Sequence, residues 1–121
     1  KIFENNIESH ITLLGDRKDL REILSVSALA FSLTTIPEAF GRTTIESLML
    51  GTPVIGYDHG GTREILKSCF PEGSVEVGNV DQAALLAEKF LISRPAIKPT
   101  DLYTTQNMEI KTIKLYENLF D

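Results

Sequence analysis

The chain contains at its centre the run Pro37-Glu-Ala-Phe-Gly-Arg-Thr-Thr-Ile-Glu46, followed at once by Ser-Leu-Met-Leu-Gly51-Thr-Pro-Val-Ile-Gly56. The Phe-Gly turn and Gly51 bracket a segment that predicts a helix from about residue 41 to 50, because glycine commonly stands just past a helix end. The four-residue run that begins at Pro53 is apolar and is bounded by proline and glycine, which predicts a buried strand. This helix and strand set the pattern for the flanking sequence.

Short apolar runs recur on both sides of this pair. We predict strands at residues 11–14, where Gly15 ends the run, at 28–33 and at 74–77. Strands that alternate with helices indicate βαβ units and a parallel sheet. Because the strands are continuously apolar, the sheet is expected to be covered on both faces. The predicted fold class is therefore α/β, a Rossmann-like parallel sheet flanked by helices, in a single domain over residues 1–121.

Four further helices are predicted: after Asp19, at about 62–67, after Asp81, and at 105–120 within a terminal segment of about 103–121. Asp19 and Asp81 are each expected to cap their helix, and Glu22 completes the start signature of the first. Each of three helices has one apolar face. These faces are Leu20, Ile23 and Leu24; Ala83, Leu86, Ala87 and Phe90; and Ile113, Tyr116 and Phe120. The last face is interpreted most simply as core, with an interdomain surface as the alternative.

Composition narrows the classes of function. The chain has 121 residues, 42% hydrophobic and 24% charged, which is typical of a soluble globular domain. Its net charge is −5 and its basic residues are scattered, which disfavours nucleic-acid binding. The lone Cys69 excludes an internal disulfide, and a structural zinc site would need more ligands. With no signal peptide and no spanning apolar run, we expect a cytoplasmic location.

The start of the central helix has the chemistry of an anion site. Its first N–H groups are unpaired and carry partial positive charge. Gly41 has no Cβ, so a ligand is expected to approach that backbone closely. Glu38 and Glu46 place a carboxylate on either side. A phosphate between two hydroxyl-bearing rings, as in a nucleotide-sugar, would match this arrangement.

The stretch from Glu38 to Gly61 resembles the signature of the GT-B retaining glycosyltransferases called group 1 or family 4. The shared pattern is a Glu-x-Phe-Gly turn, a second Glu eight residues after the first, Gly-x-Pro-Val-Ile, and a Gly-Gly turn. The resemblance covers about residues 10 to 92. It implies a hexosyltransferase that uses a UDP-, GDP- or ADP-sugar, with neither metal nor cofactor.

The resemblance also implies roles for individual residues. Glu38 matches the acid that holds hydroxyls of the donor sugar near the reacting centre, and is the catalytic candidate. Glu46 matches the acid that accepts hydrogen bonds from both ribose hydroxyls. Backbone N–H groups that hold the sugar and diphosphate match those around Phe40, Gly41, Arg42 and Thr43.

The sequence departs from the family pattern at its start. Lys1-Ile-Phe-Glu reads as the end of a helix cut from something longer. The family's Arg and Lys that neutralise the diphosphate, and its acceptor-binding N-terminal domain, would precede Lys1. We therefore expect the C-terminal, donor-binding half of a GT-B fold, incomplete at its N-terminus and inactive alone. Peripheral contact of the full-length enzyme with the inner membrane is left open.

Three other functions remain as alternatives. A retaining glycosidase would need its two carboxyl groups about 5–5.5 Å apart, which the spacing of Glu38 and Glu46 disfavours. A GT-B sugar-nucleotide epimerase and a non-catalytic nucleotide-sugar-binding module are the others. No role is assigned to three neighbouring features: the side chain of Arg42, expected to point away; Gly60-Gly61, interpreted as a tight turn; and His59, interpreted as a solvated loop residue.

Overall fold

The computed structural model describes residues 5–120, with side chains described as far as residue 119. Its sheet has three parallel strands in the order β1-β2-β3. These are β1 (Ala30–Ser32), β2 (Val54–Tyr57) and β3 (Ser74–Val75). Phe31 of β1 lies opposite Ile55 of β2, and Tyr57 of β2 lies opposite Val75 of β3.

Helices connect the strands and continue the chain beyond them. They are α1 (Leu20–Val26), α2 (Arg42–Met49), α3 (Gly60–Cys69), α4 (Val80–Ser93) and α5 (Thr105–Phe120). Short 3-10 turns cover Glu8–His10 and Pro71–Gly73. Each pair of neighbouring strands is joined through a helix, so both connections are βαβ units. The predicted α/β, Rossmann-like class is confirmed.

The core is built around β2, whose four residues are all buried. Helices α2, α3 and α4 all pack against this strand. Ile55 is fully buried, and burying such a side chain stabilises the fold by about 1.5–3 kcal/mol. Phe70 and Phe90 join α3 to α4 with ring centroids 5.4 Å apart. Cys69 packs beside this core, and burial raises the pKa of its thiol.

The predicted strand at residues 11–14 is wrong. The segment is irregular, and its apolar side chains are exposed, with Leu13 at 87%. A strand forms only where a neighbouring strand receives its backbone hydrogen bonds, and none lies beside this segment within residues 5–120. The other three strands are confirmed. Strands β1 and β3 are shorter than predicted, whereas β2 keeps its four residues and begins one residue later, at Val54.

The helix caps also differ from the predictions. Asp19 stands at the N-cap of α1, but its carboxylate pairs with Arg17, whose Nε lies 2.7 Å from Oδ1. This guanidinium holds the pKa of Asp19 below its ordinary value. Asn79, rather than Asp81, caps α4: its side-chain oxygen accepts from the Gln82 N–H at 3.0 Å. The apolar face of α4 is confirmed, with Ala83 and Phe90 buried.

Helix α5 has the predicted bounds, but none of its side chains at residues 105–119 is buried. Ile113 and Tyr116 are 57% and 59% exposed, so the interpretation of this stripe as core is wrong for both residues. The Phe120 side chain lies outside the described residues. Within residues 5–120 no helix combines the length and apolarity needed to cross a bilayer.

Ending the chain after Thr104 is expected to change the free energy of unfolding by less than about 1 kcal/mol. Surface groups that bury little area contribute little to stability. Chemical denaturation of both forms, followed by the near-ultraviolet signal of the remaining aromatic residues, measures the difference. A loss above about 3 kcal/mol, the scale of a large core truncation, would mean that α5 packs on the body.

Candidate functional site

The candidate site lies where β1 and β2 end. Because the strands are parallel, the loop that follows Ser32 and the turn that follows Tyr57 leave the sheet on the same side, at the carboxyl ends of the strands. We call this side the carboxyl edge of the sheet. The two segments touch: the N–H of Gly61 donates to the carbonyl oxygen of Glu38 at 2.8 Å. The carboxyl edge of the sheet, where open parallel sheets bind their ligands, is therefore formed from two segments that are far apart in sequence.

Helix α2 presents unpaired donors at this edge. Gly41 precedes the helix with φ of 78°, and its carbonyl accepts the first helical bond, from Ile45. The N–H groups of Arg42, Thr43 and Thr44 have no acceptor among residues 5–120. A helix start of this kind attracts an anion through both its donors and its dipole.

The missing Cβ of Gly41 serves packing and not ligand approach. A Cβ built there would lie 3.0 Å from the backbone nitrogen of Thr62 and 3.3 Å from Cδ1 of Ile65. Gly41 is itself buried, so its open side faces α3. The expectation that a ligand would use this side is wrong. The role of its backbone in ligand binding stays a prediction.

Gly60 and Gly61 support the loop that carries Glu38. A Cβ on Gly60 would lie 2.6 Å from the Glu38 carbonyl oxygen, and one on Gly61 would lie 2.2 Å from the Phe40 carbonyl carbon. The pair begins α3 and is more than the tight turn predicted. The Glu38–Phe40 backbone lies directly on that of the two glycines, so their lack of side chains sets its position.

Glu38 offers a free carboxylate. Its side chain is exposed and has no hydrogen-bond or ion-pair partner in the described part of the chain. Only its backbone is held, by the bond from Gly61. An ionised carboxylate is an acceptor-only group, and both of its oxygens are available to hydroxyl donors.

Glu46 lies one turn into α2 and is partly engaged. Its Oε1 accepts from Nη2 of Arg42 at 3.1 Å, while Arg42 remains 80% exposed. Exposed pairs at this spacing stabilise by about 0.3–0.5 kcal/mol, so a ligand can replace Arg42 at little cost. A cavity of about 300 Å³ adjoins Glu46 and is lined by Arg21, Met49 and Leu50.

The remaining predicted residues lie at the turn itself. The ring of Phe40 is half exposed and meets Tyr103 edge-on, with centroids 6.0 Å apart. Thr43 is exposed in the first turn of α2, and its carbonyl accepts from Ser47 Oγ at 2.7 Å. Phe40 and Gly41 thus lead directly into Arg42 and Thr43 at the start of α2, between Glu38 and Glu46 in the sequence.

Two supporting features were missed in the sequence. Thr62 joins three elements by hydroxyl contacts, 3.1 Å to Ser32 and 3.3 Å to Thr44. His59 is half-buried, and its Nε2 lies 2.7 Å from the carbonyl oxygen of Thr34, so its interpretation as a solvated residue is wrong. Only the position of His59, two residues after β2 and directly before the Gly pair, could have drawn attention to it.

Chemically, the site combines anion-binding N–H donors with carboxylates that accept hydroxyl groups. Within residues 5–120, no three His, Cys, Asp or Glu side chains are grouped closely enough to hold a metal ion.

Comparison with known proteins places the chain in a family. Residues 2–106 match the family described as "Glycosyl transferases group 1". The chain is also 28% identical over 120 residues to N-acetyl-alpha-D-glucosaminyl L-malate synthase of Bacillus anthracis. That match covers 95% of this chain but only 31% of the relative, so the chain spans about a third of the relative's length. Since the family match extends over most of its residues, the chain belongs to the group 1 glycosyl transferases.

Proposed function

We propose that this chain binds the nucleotide-sugar donor for a retaining glycosyltransferase, which moves a hexosyl unit to an acceptor held outside these residues. The observation that carries the proposal is the row of unpaired N–H groups at the start of α2, with the free Glu38 carboxylate before it and Glu46 after it. A diphosphate flanked by a sugar and a ribose needs donors at its centre and acceptors at both ends.

The same groups would assist the reaction. When the glycosidic bond breaks, negative charge grows on the diphosphate leaving group. The N–H groups of Arg42, Thr43 and Thr44 are already oriented and need no reorganisation to stabilise that charge. Glu46 would hold the ribose diol, and Glu38 would hold sugar hydroxyls by charge-assisted bonds. In this proposal the reaction needs no metal ion and proceeds in the cytoplasm.

The relative from B. anthracis suggests which donor to test first. Its name specifies an N-acetylglucosaminyl unit. The donors to be tested should therefore include nucleotide esters of N-acetylglucosamine as well as those of glucose. Since this chain matches only 31% of that protein, L-malate is not proposed as the acceptor.

An amide-resolved NMR titration with UDP, GDP and ADP tests the proposal directly. Each nucleotide is taken to millimolar concentration, because a helix start alone binds anions weakly. We expect shifts at residues 40–46, strongest for one base. If the folded, full-length protein shows no shifts at these residues at millimolar concentrations of all three nucleotides, the donor-site proposal fails.

The Glu38→Ala variant is expected to leave nucleoside diphosphate affinity within about twofold and to weaken binding of the matching nucleotide-sugar about tenfold or more. A hydrogen bond to a charged group contributes about 1.5–3 kcal/mol, and only the sugar supplies these hydroxyls. Calorimetric titration of both ligands measures the difference. Glu72→Ala, an exposed carboxylate beyond the far end of α3, is the control. Equal weakening of both ligands would remove Glu38 from the sugar side of the site.

A further inference from the structure

We propose that His59 is a positioning residue for the donor sugar. Its ring holds the loop at residues 34–40, so that Glu38 is already in position when the ligand binds. The inference rests on the proposed function for its consequence in binding. The contact between His59 and the loop can be tested separately.

The geometry of His59 requires a proton on the ring nitrogen Nε2. His59 occupies the N-cap position of α3 with an extended backbone, φ of −155°. Nε2 lies 2.7 Å from the Thr34 carbonyl oxygen, and a carbonyl can only accept. Nε2 therefore donates. The ring also meets the buried Tyr57 edge-on, with centroids 6.3 Å apart.

The loop is held at two points by the start of α3. His59 holds the carbonyl of Thr34 near the end of β1, and Gly61 donates to the carbonyl of Glu38 four residues later. Between them the Thr34 hydroxyl accepts from the N–H of Ile36 at 3.2 Å. Both anchors act on the backbone, and the Glu38 side chain has no partner of its own in residues 5–120. The position of its carboxylate therefore depends on how the loop backbone is held, by these two bonds and by the contact with the glycine pair.

Losing the first anchor would leave the loop to be ordered when the sugar binds. Ordering a loop on binding lowers affinity, and the penalty falls on the ligand that uses the loop. The N–H groups of α2 belong to a helix and keep their positions. The nucleotide part of the site is thus expected to tolerate the loss of His59, whereas the sugar part is not.

Three substitutions separate the hydrogen bond from the ring. His59→Phe keeps the aromatic ring beside Tyr57 and removes the donor. His59→Gln places an amide N–H near the position of Nε2, whereas His59→Asn places one at the position of Nδ1, too short to reach Thr34. His10→Phe, in the exposed turn Glu8–His10, is the matched control for changing a histidine to phenylalanine.

Two measurements are made on the full-length protein. Hydrogen exchange of the Gly61 amide reports the second anchor without any ligand. Calorimetry compares UDP, GDP and ADP with their glucose and N-acetylglucosamine esters. For His59→Phe and His59→Asn we expect faster Gly61 exchange and about tenfold weaker binding of the nucleotide-sugar, with nucleoside diphosphate affinity within about twofold. His59→Gln should recover both values, and His10→Phe should change neither.

Each other outcome overturns a defined part. Unchanged Gly61 exchange in His59→Phe overturns the anchoring role. Faster exchange with equal loss of nucleotide and nucleotide-sugar overturns the selective positioning of Glu38. If the wild-type protein binds none of the six sugar esters and none of the nucleotides, the proposed function fails, and Gly61 exchange still decides the anchoring role.

Discussion

The Gly61→Ala variant is expected to lose nucleotide-sugar binding by at least about tenfold and to lose about 1–3 kcal/mol of folding stability. The new Cβ would lie 2.2 to 2.6 Å from three backbone atoms of Phe40, and backbone cannot move aside as a flexible side chain does. The turn that carries Glu38 and leads into α2 must shift instead. Chemical denaturation and calorimetric titration with the nucleotide-sugar measure the two losses.

A second glycine separates damage to the site from damage to the fold. A Cβ on Gly73 would lie 2.0 Å from the Val54 carbonyl oxygen, in the core and beyond the far end of α3. Gly73→Ala should therefore lose comparable stability while the folded fraction keeps its ligand affinity. If Gly61→Ala and Gly73→Ala weaken binding equally, the role assigned to Gly61 in holding the turn is wrong.

The Glu46→Ala variant is expected to weaken every nucleoside diphosphate by about 1.5–3 kcal/mol, a factor of about 10 to 150. Both ribose hydroxyls would lose their charged acceptor. Binding of UDP, GDP and ADP measured by calorimetry gives the change. A deoxyribose analogue tightens the test, because the wild-type protein should discriminate against it and Glu46→Ala should not.

Two controls accompany this prediction. Glu88→Ala removes an exposed helical carboxylate from α4, away from the site, and should leave affinity unchanged. Arg42→Met removes only the exposed partner of Glu46 and should change affinity less than about twofold, since the pair itself is weak. Unchanged nucleotide affinity in Glu46→Ala would exclude the ribose role and leave this carboxylate as the partner of Arg42.

The parts of the fold that sequence predicted well are those fixed by local pattern. Helix α2 and strand β2 lie where the glycine, proline and apolar spacing placed them. The segment at 11–14 failed because an apolar run does not name its strand partner. Asp81 failed as a cap because Asn79 stands two residues earlier and reaches the Gln82 N–H. Helix α5 was predicted correctly from its apolar periodicity, but the burial of its apolar stripe was not. The periodicity of a stripe does not show which other element, if any, packs against it.

The candidate site divides in the same way. The motif residues at 38–46 could be named from sequence because they follow one another along the chain. Their supports could not, because His59 and Gly61 reach the loop across more than twenty residues of sequence. The structural reason for Gly41 could not be predicted either. A glycine that allows close approach of a ligand and a glycine that allows close packing of a helix look the same in a sequence.

The loop at residues 34–40 rests on the backbone of Gly60 and Gly61, and this contact has a consequence for how a preference among sugars could be changed. The glycine pair lies mainly against main-chain atoms of the loop, and the one side-chain atom among its nearest loop neighbours is Cβ of Pro37, 3.2 Å from where a Cβ on Gly60 would be. Thr35, Ile36 and Ala39 are exposed and lie between or beside the anchored carbonyls. Because their side chains are exposed, we expect that these three positions can be varied together with little effect on the fold. Selection for a different sugar should therefore begin there, with both glycines and His59 left untouched.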